Sequence, residues 1–471
     1  MKHSWAIIAL LGSCASVHAQ TTESGEWKYT GSLRVRLESW DWFKPADATK
    51  QNQYNYVGSI LRYGADGKVG NSPVKLELAA PLLLGLPTNA SAPLPAGSLG
   101  VGAVYRAQNG SQNGSVFLKQ GFFVGKAAEG ALKVGRFEFD EGKETIPTDP
   151  AMAFTKSSQV AARLIGTVGW SHVGRSFDGF TWSRTEKSAN TTLLAAMPTQ
   201  GVYDLDGQNT LTKVKVASLS HTKLYKNGED RLFLIGYEDT RGLVKTDDNP
   251  TAAKDTNPIR LATLGGNLLG TFPTPFGPGD GLLWAAVQSG QWGSQRANAN
   301  SWTAQVAVHP GFGKKNDLAV RGGYYYASGD SNPNDNQHGT FYPILNTPRL
   351  FARTPFFAEA NLKDAFVSVT GKVGSKLALR GDYHLLQLAN ANDLWYQSGS
   401  PFNNTAFGLT GRPSSGSHNL ADLIDLSADM TLSKSTTASF YFGQMLGKEI
   451  VKSIYPDSKG SFGYMEVNYK F

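Results

Sequence analysis

The sequence predicts an all-β fold, a single transmembrane antiparallel up-and-down β-barrel of about 18 strands. Three observations lead there. Apolar and polar residues alternate with period 2 along most of the chain. No apolar run is long enough for a spanning helix, which needs ~20 residues: the longest, residues 78–86, is broken by Pro81 and Gly85. The chain also ends in an amphipathic segment whose last residue is aromatic, Phe471.

The composition agrees. Of 471 residues, 52 are glycine, 24 Phe, 18 Tyr and 10 Trp, while only 18% are charged. A disordered chain would be highly charged and poor in aromatics. Residues 1–19 read as a secretory signal, with Lys2 before an apolar core and Val17-His18-Ala19 as a small-x-small cleavage site. Leu11-Gly12-Ser13-Cys14 loosely resembles a lipobox, the competing reading of the same segment. Cys14 is the only cysteine and leaves with the signal, so a disulfide, a cysteine zinc site and a thiol nucleophile are excluded from the mature chain. The net charge of +7 includes Lys2 and comes without long Lys/Arg runs. Together with export, this excludes nucleic acid as the partner.

The elements follow in chain order. In residues 27–38 the odd positions are apolar or small and the even ones polar, over a length that suits a tilted transmembrane strand of ~9–11 residues. Further strands are predicted over 57–68, 75–80, 116–126, 132–139, 177–184, 191–196, 213–216, 231–240, 259–271, 282–293, 302–309, 318–326, 365–373, 377–385, 420–432, 437–446 and 462–471. Short connections such as Gly70-Asn71-Ser72-Pro73 and residues 226–230 read as hairpin turns. Residues 87–115, 141–162, 329–361 and 396–419 read as long loops, which outer-membrane barrels carry on the external side. No linker or composition break interrupts residues 20–471, so they read as one barrel domain in contact with outer-membrane lipid. In the last strand Met465, Val467, Tyr469 and Phe471 share one face, the pattern by which barrel-assembly machinery recognises its clients.

Catalytic and metal signatures do not emerge. There is no H-E-x-x-H, no G-x-S-x-G and no phosphate-binding loop. The mature histidines, His172, His221, His309, His338, His384 and His418, have no second His or Cys at ligand spacing. His384 or His172 beside a serine could serve a barrel-embedded hydrolase, against the plainer reading of lumen or loop histidines. Asp330-Ser331-Asn332-Pro333-Asn334-Asp335 opens like a calcium loop but lacks the glycine at position six and the glutamate at position twelve. No enzyme activity, cofactor or metal is therefore expected.

The cations say more. Parity puts Arg34, Arg36, Arg62, Lys75, Lys213, Lys215, Arg321 and Arg380 opposite the apolar face, hence in the lumen. Either Glu38, Glu77, Asp66 and Asp382 neutralise them, or they make an electropositive passage for anions.

Several stretches, in this order, resemble the alginate export family of bacterial outer-membrane barrels. They are Leu33-Arg34-Val35-Arg36-Leu37-Glu38-Ser39-Trp40, Val134-Gly135-Arg136-Phe137-Glu138, Arg175-Ser176-Phe177-Asp178-Gly179, Tyr326-Ala327-Ser328-Gly329-Asp330 and the closing residues 464–471. Family members commonly carry G-R-Q-E where this chain has Gly135-Arg136-Phe137-Glu138. The resemblance implies a monomeric, eighteen-stranded barrel whose arginine-rich lumen passes an acidic polysaccharide, with loops or turns as gates. Arg136 and Arg175 join Arg34, Arg36, Arg62, Arg321 and Arg380 as lumen residues on that resemblance. Guanidinium forks match carboxylates and stay charged, so they can pass a uronate chain from site to site. The alternatives are a general or small-anion uptake porin and a membrane-embedded enzyme.

Overall fold

The computed structural model describes residues 27–91, 99–247, 255–347 and 352–471. The expected signal segment, residues 1–19, lies outside them. Eighteen strands form the wall. The first six are β1 (Lys28–Asp41), β2 (Gln53–Val69), β3 (Ser72–Leu84), β4 (Phe117–Ala127), β5 (Gly130–Phe137) and β6 (Phe177–Thr185). The next six are β7 (Ala189–Pro198), β8 (Val214–Tyr225), β9 (Gly228–Asp239), β10 (Ile259–Thr274), β11 (Gly277–Trp292) and β12 (Gln295–Val308). The last six are β13 (Ala319–Ala327), β14 (Leu362–Val373), β15 (Leu377–Gln387), β16 (Asn419–Thr431), β17 (Thr436–Gly447) and β18 (Lys459–Lys470).

Each strand pairs antiparallel with its neighbours in sequence, and β1 pairs with β18 from Ser32↔Lys470 to Asp41↔Ser461, which closes the sheet. Closure removes the two free edges that no sheet can expose to lipid. The seam continues past β18: the Gly31 N–H donates to the Phe471 carbonyl at 2.8 Å and the Phe471 N–H to the Gly31 carbonyl at 3.0 Å. The Phe471 ring lies flat over Gly31, where a Cβ would sit 2.4 Å from the ring.

Alternation makes the two faces. Leu232, Leu234, Leu264, Leu268, Leu283, Val287, Val306, Leu426, Phe440 and Met465 are exposed on the outer face and form an apolar belt. Tyr29, Tyr63, Tyr225, Phe272, Phe276 and Phe312 ring one rim, where tight turns join the strands and where β1 begins and β18 ends. Such aromatic girdles mark a bilayer interface. At this turn end β2 and β3 meet through Gly70-Asn71, with Gly70 at φ 59° in the left-handed region a tight turn needs, and β8 and β9 meet through Lys226-Asn227.

The opposite end carries the long connections, residues 85–116, 138–176, 328–361 and 388–418. Their described residues fold inward and zip together. Ile165 bridges Leu345 in parallel, and the Thr347 N–H donates to the Ala162 carbonyl at 2.9 Å. Leu164, Ile165, Val168, Val173, Ile344 and Leu345 are fully buried against inward-facing Trp40, Tyr54 and Tyr56. This end of the barrel is a packed plug.

The plug corrects one expectation. Lys213 and Lys215 were placed in the lumen by parity, yet both are exposed, while Val214 and Val216 are buried. Lys215 instead reaches Glu238 on the next strand at 3.3 Å. The reason is the filling of the barrel. Next to an apolar plug the inner face must be apolar, and the outer face, above the lipid belt, can be charged.

Two outcomes follow from this topology. Deleting Phe471 removes the last pair of seam hydrogen bonds, and the yield of heat-modifiable, folded barrel on gels should fall several-fold; an unchanged yield would make the seam complete without it. Epitope tags inserted after Gly110 and after Ser331, both at the loop end, should label together on intact cells, and labelling only after lysis would reverse the orientation.

Candidate functional site

Residues 138–176 hold the centre of the barrel, and arginines from the wall hold them. Arg34 donates to the carbonyls of Gly169 (2.6 Å) and Ser171. Arg36 donates to the Trp170 carbonyl at 2.8 Å and to Glu466 of β18 at 2.7 Å. His172 wedges against Gly58 of β2, where any Cβ would fall 2.1 Å from its ring. Its Nε2 lies 2.8 Å from Glu38, which also accepts from Tyr56 (2.7 Å) and Trp40 (2.9 Å). The helix α1 (Val101–Asn109) contributes Tyr105, whose hydroxyl accepts the His172 N–H at 2.8 Å. Thus Arg34 and Arg36 face inward as parity required, but both hydrogen bonds of Arg34 and one of Arg36 serve the plug.

The remaining expected lumen residues divide. Arg62 is gripped by Glu77 (2.9 Å) and Glu138. Lys75 pairs with Asp66 at 3.1 Å. Arg321 bonds Asp280 (2.7 Å) and Thr155 (2.6 Å), the latter at the end of the short helix α2 (Pro150–Thr155). Arg380 lies on Asp382 of its own strand at 2.6 Å. Each of the four acids expected to neutralise these cations does hold one of them.

Arg136 is displaced from the expected place. It shares the face of Phe180, whose ring is exposed on the outside of the wall, and forks onto Asp178 with two contacts of 2.7 Å. A third bond, to the Leu118 carbonyl at 3.1 Å, fills the gap left where β5 ends early. Its placement in the lumen came from resemblance, and strand register overrides it.

Arg175 stands apart in another way. It is buried at 1% exposure in the plug, and among the described residues its guanidinium bonds only Ser400, at 2.8 Å, with Nε and Nη1 unpaired. Among the described residues no carboxylate faces it, and burial pushes its pKa down to about 10. A desolvated guanidinium with spare donors is an acceptor-seeking group.

Sequence reading missed several residues. Arg231 of β9 is fully buried between Glu141 and Glu144 of the plug, the latter at 3.0 Å. Its parity with Phe233 and Ile235, both buried, carried that signal. Arg163 bonds Glu359 at 3.3 Å and covers the Trp284 ring at 4.8 Å, and Arg353 pairs with Asp429 at 2.8 Å. Both sit in loops, where no periodicity marks them. The calcium-like loop closes on itself: Asp330 accepts the N–H groups of Asn332 and Gly339.

Beneath the plug the lumen is open. A cavity of about 480 Å³ is lined by Arg34, Arg36, Lys143, Arg353 and Arg380 against Asp140, Asp429 and Glu466. Five cations thus face three carboxylates. A second cavity of about 1370 Å³ shares Ser158, Arg353, Arg380 and Asp429 with the first and runs to the turn-end rim at Asn227, Pro278 and Pro310. The result is a vestibule whose inner end is lined by more cations than carboxylates, each cation within 4.0 Å of an acid.

The chain belongs to the alginate export family, whose family profile matches residues 31–446. None of the curated proteins matches it in sequence. In fold it is similar to outer-membrane porins. OccAB3 of Acinetobacter baumannii superposes with a TM-score of 0.56 at 10% identity, covering 94% of this chain and 99% of that one. OccAB4 of the same species gives 0.55 at 8%, covering 95% and 99%. OpdK of Pseudomonas aeruginosa, crystallised with vanillate, gives 0.57 at 10%, covering 94% and 98%. Family and fold place the chain in the bacterial outer membrane as a channel, not an enzyme.

Arg231→Met would leave Glu141 and Glu144 buried without their cation, a loss of about 3–5 kcal/mol from the contact holding the plug to the wall. Protease cleavage within residues 138–176 and single-channel conductance should both rise while the heat-modifiable gel shift persists. Unchanged cleavage and conductance would locate the hold elsewhere.

Proposed function

We propose that, as a member of the alginate export family, the chain passes an acidic polysaccharide or a related anionic solute through this lumen. The observation that supports the reading is the surplus of cations over carboxylates lining the inner cavity, together with Arg175 in the plug, which no acid among the described residues faces. A fixed positive potential in a narrow, low-dielectric-walled passage concentrates anions, and guanidinium groups offer paired donors to successive carboxylates. Because Arg34, Arg36 and Arg231 also hold the plug, an entering polyanion competes for the same donors. Binding and opening are thereby linked. Assembly by barrel-assembly machinery and function as a monomer belong to this reading, supported by the aromatic terminal strand and by a wall closed within one chain.

A second reading is uptake of small carboxylates, favoured by likeness in fold to OpdK with vanillate and by the closely packed apolar residues of the plug.

Reversal potentials in planar bilayers under a salt gradient test both. The channel should prefer chloride to potassium, with the preference weakening as salt rises, since the Debye length is ~10 Å at 0.1 M. Polyuronate should reduce the current more than a neutral glucan, and Arg34→Ser with Arg353→Ser should lessen both effects several-fold. Reduction by vanillate but not by polyuronate would select the uptake reading. A cation-selective channel indifferent to both would sink the anionic one.

A further inference from the structure

A separate cluster lies in the wall between β15 and β16. A ring nitrogen of His384 and one carboxylate oxygen from each of Asp382 and Asp425 lie within 4.8 Å of one another, and all three residues are buried. The topology makes this grouping. Asp382 and His384 are two apart on β15 and so share a face, and Asp425 of β16 is the cross-strand partner of Asp382.

The surroundings orient the donors. His384 Nδ1 lies 2.9 Å from Asp364 of β14, a carboxylate that fixes the ring and keeps that nitrogen protonated. Nε2 is left with no partner, on a side chain that is 0% exposed. An oriented imidazole whose second nitrogen is free, backed by a carboxylate, is the arrangement found around metal-ligating histidines. Asp425 is held as firmly: it accepts the Arg353 N–H at 2.6 Å, the Thr354 hydroxyl at 3.2 Å and the Tyr441 hydroxyl.

The charges do not balance. Among the described residues, Asp364, Asp382 and Asp425 face one guanidinium, Arg380, which lies on Asp382. Arg353 directs its side chain to Asp429 instead. A buried site with this excess needs another positive charge, either a proton on His384 or a cation.

We infer that His384, Asp382 and Asp425 form a binding site for a divalent transition-metal ion, with Asp364 as the positioning residue. One imidazole nitrogen and two carboxylate oxygens suit zinc, cobalt or manganese, and leave coordination positions for water. Calcium, which takes six to eight oxygens, fits poorly. Small side-chain rotations bring the donors to the ~2.0–2.2 Å ligand distances of zinc. The ion would tie β15 to β16 and, through Asp425, steady the segment that carries Arg353 into the lumen.

The experiment uses the whole barrel in detergent, stripped with a chelator and titrated with zinc chloride by calorimetry. Cobalt chloride is added separately, to read the coordination from its absorption bands. One saturable site and a raised unfolding temperature are expected. His384→Gln and Asp425→Asn should each weaken zinc binding at least 100-fold, and Asp364→Asn by ~10–100-fold, with the heat-modifiable gel shift retained. Absence of saturable binding by the native chain, or native-like affinity in both His384→Gln and Asp425→Asn, overturns the site and leaves the proton on His384 as the balancing charge. Neither outcome depends on which solute the lumen passes.

Discussion

Within a bilayer the backbone has no water to bond, and this constraint shapes every other part of the molecule. Eighteen strands satisfy it only because β1 finds β18, and the last hydrogen bonds of that seam involve Phe471 itself. Once the wall is closed, its outer face must be apolar across the lipid, so the polar content of the strands is forced inward. A barrel of this circumference then encloses more space than its own side chains can fill. The long loops occupy it.

Filling the interior with loops raises an electrostatic problem that the arginines resolve. Inward-facing guanidinium groups are expensive to bury alone and nearly neutral when paired, while removing one partner is costly. Arg36, Arg62, Arg231 and Arg321 are therefore tied to carboxylates, and several of those carboxylates belong to the plug. The same charges that could guide an anion thus also define the closed arrangement of the loops. On the proposed reading, an anionic solute would compete with these internal carboxylates for the same donors.

The pattern also explains why charge counts along the strands overstate the field in the lumen. Of the arginines predicted to line it, Arg62 and Arg380 are matched locally, Arg136 faces away, and Arg175 is buried in the plug. The cations that line the inner cavity, Arg34, Arg36, Lys143, Arg353 and Arg380, are few and localised. Localised charge suits stepwise passage better than a uniformly cationic wall, which would hold a polyanion in place.

What the sequence determined alone is the wall. Alternation is a local property, repeated in every strand, and the requirement that lipid-facing positions be apolar writes it directly into the residues. All eighteen strands were legible for that reason, as were the inward faces of Arg34, Arg36, Arg62, Arg321 and Arg380. The plug was not legible. The positions of Arg163, Arg175 and Arg353 depend on how residues 138–176, 328–361 and 388–418 fold against each other, contacts between distant segments that no period announces. The inversion at Lys213 and Lys215 has the same origin, since which face of a strand is apolar depends on what lies against it. Lipid lies outside, but a folded loop lies within, and only the tertiary structure decides where one gives way to the other.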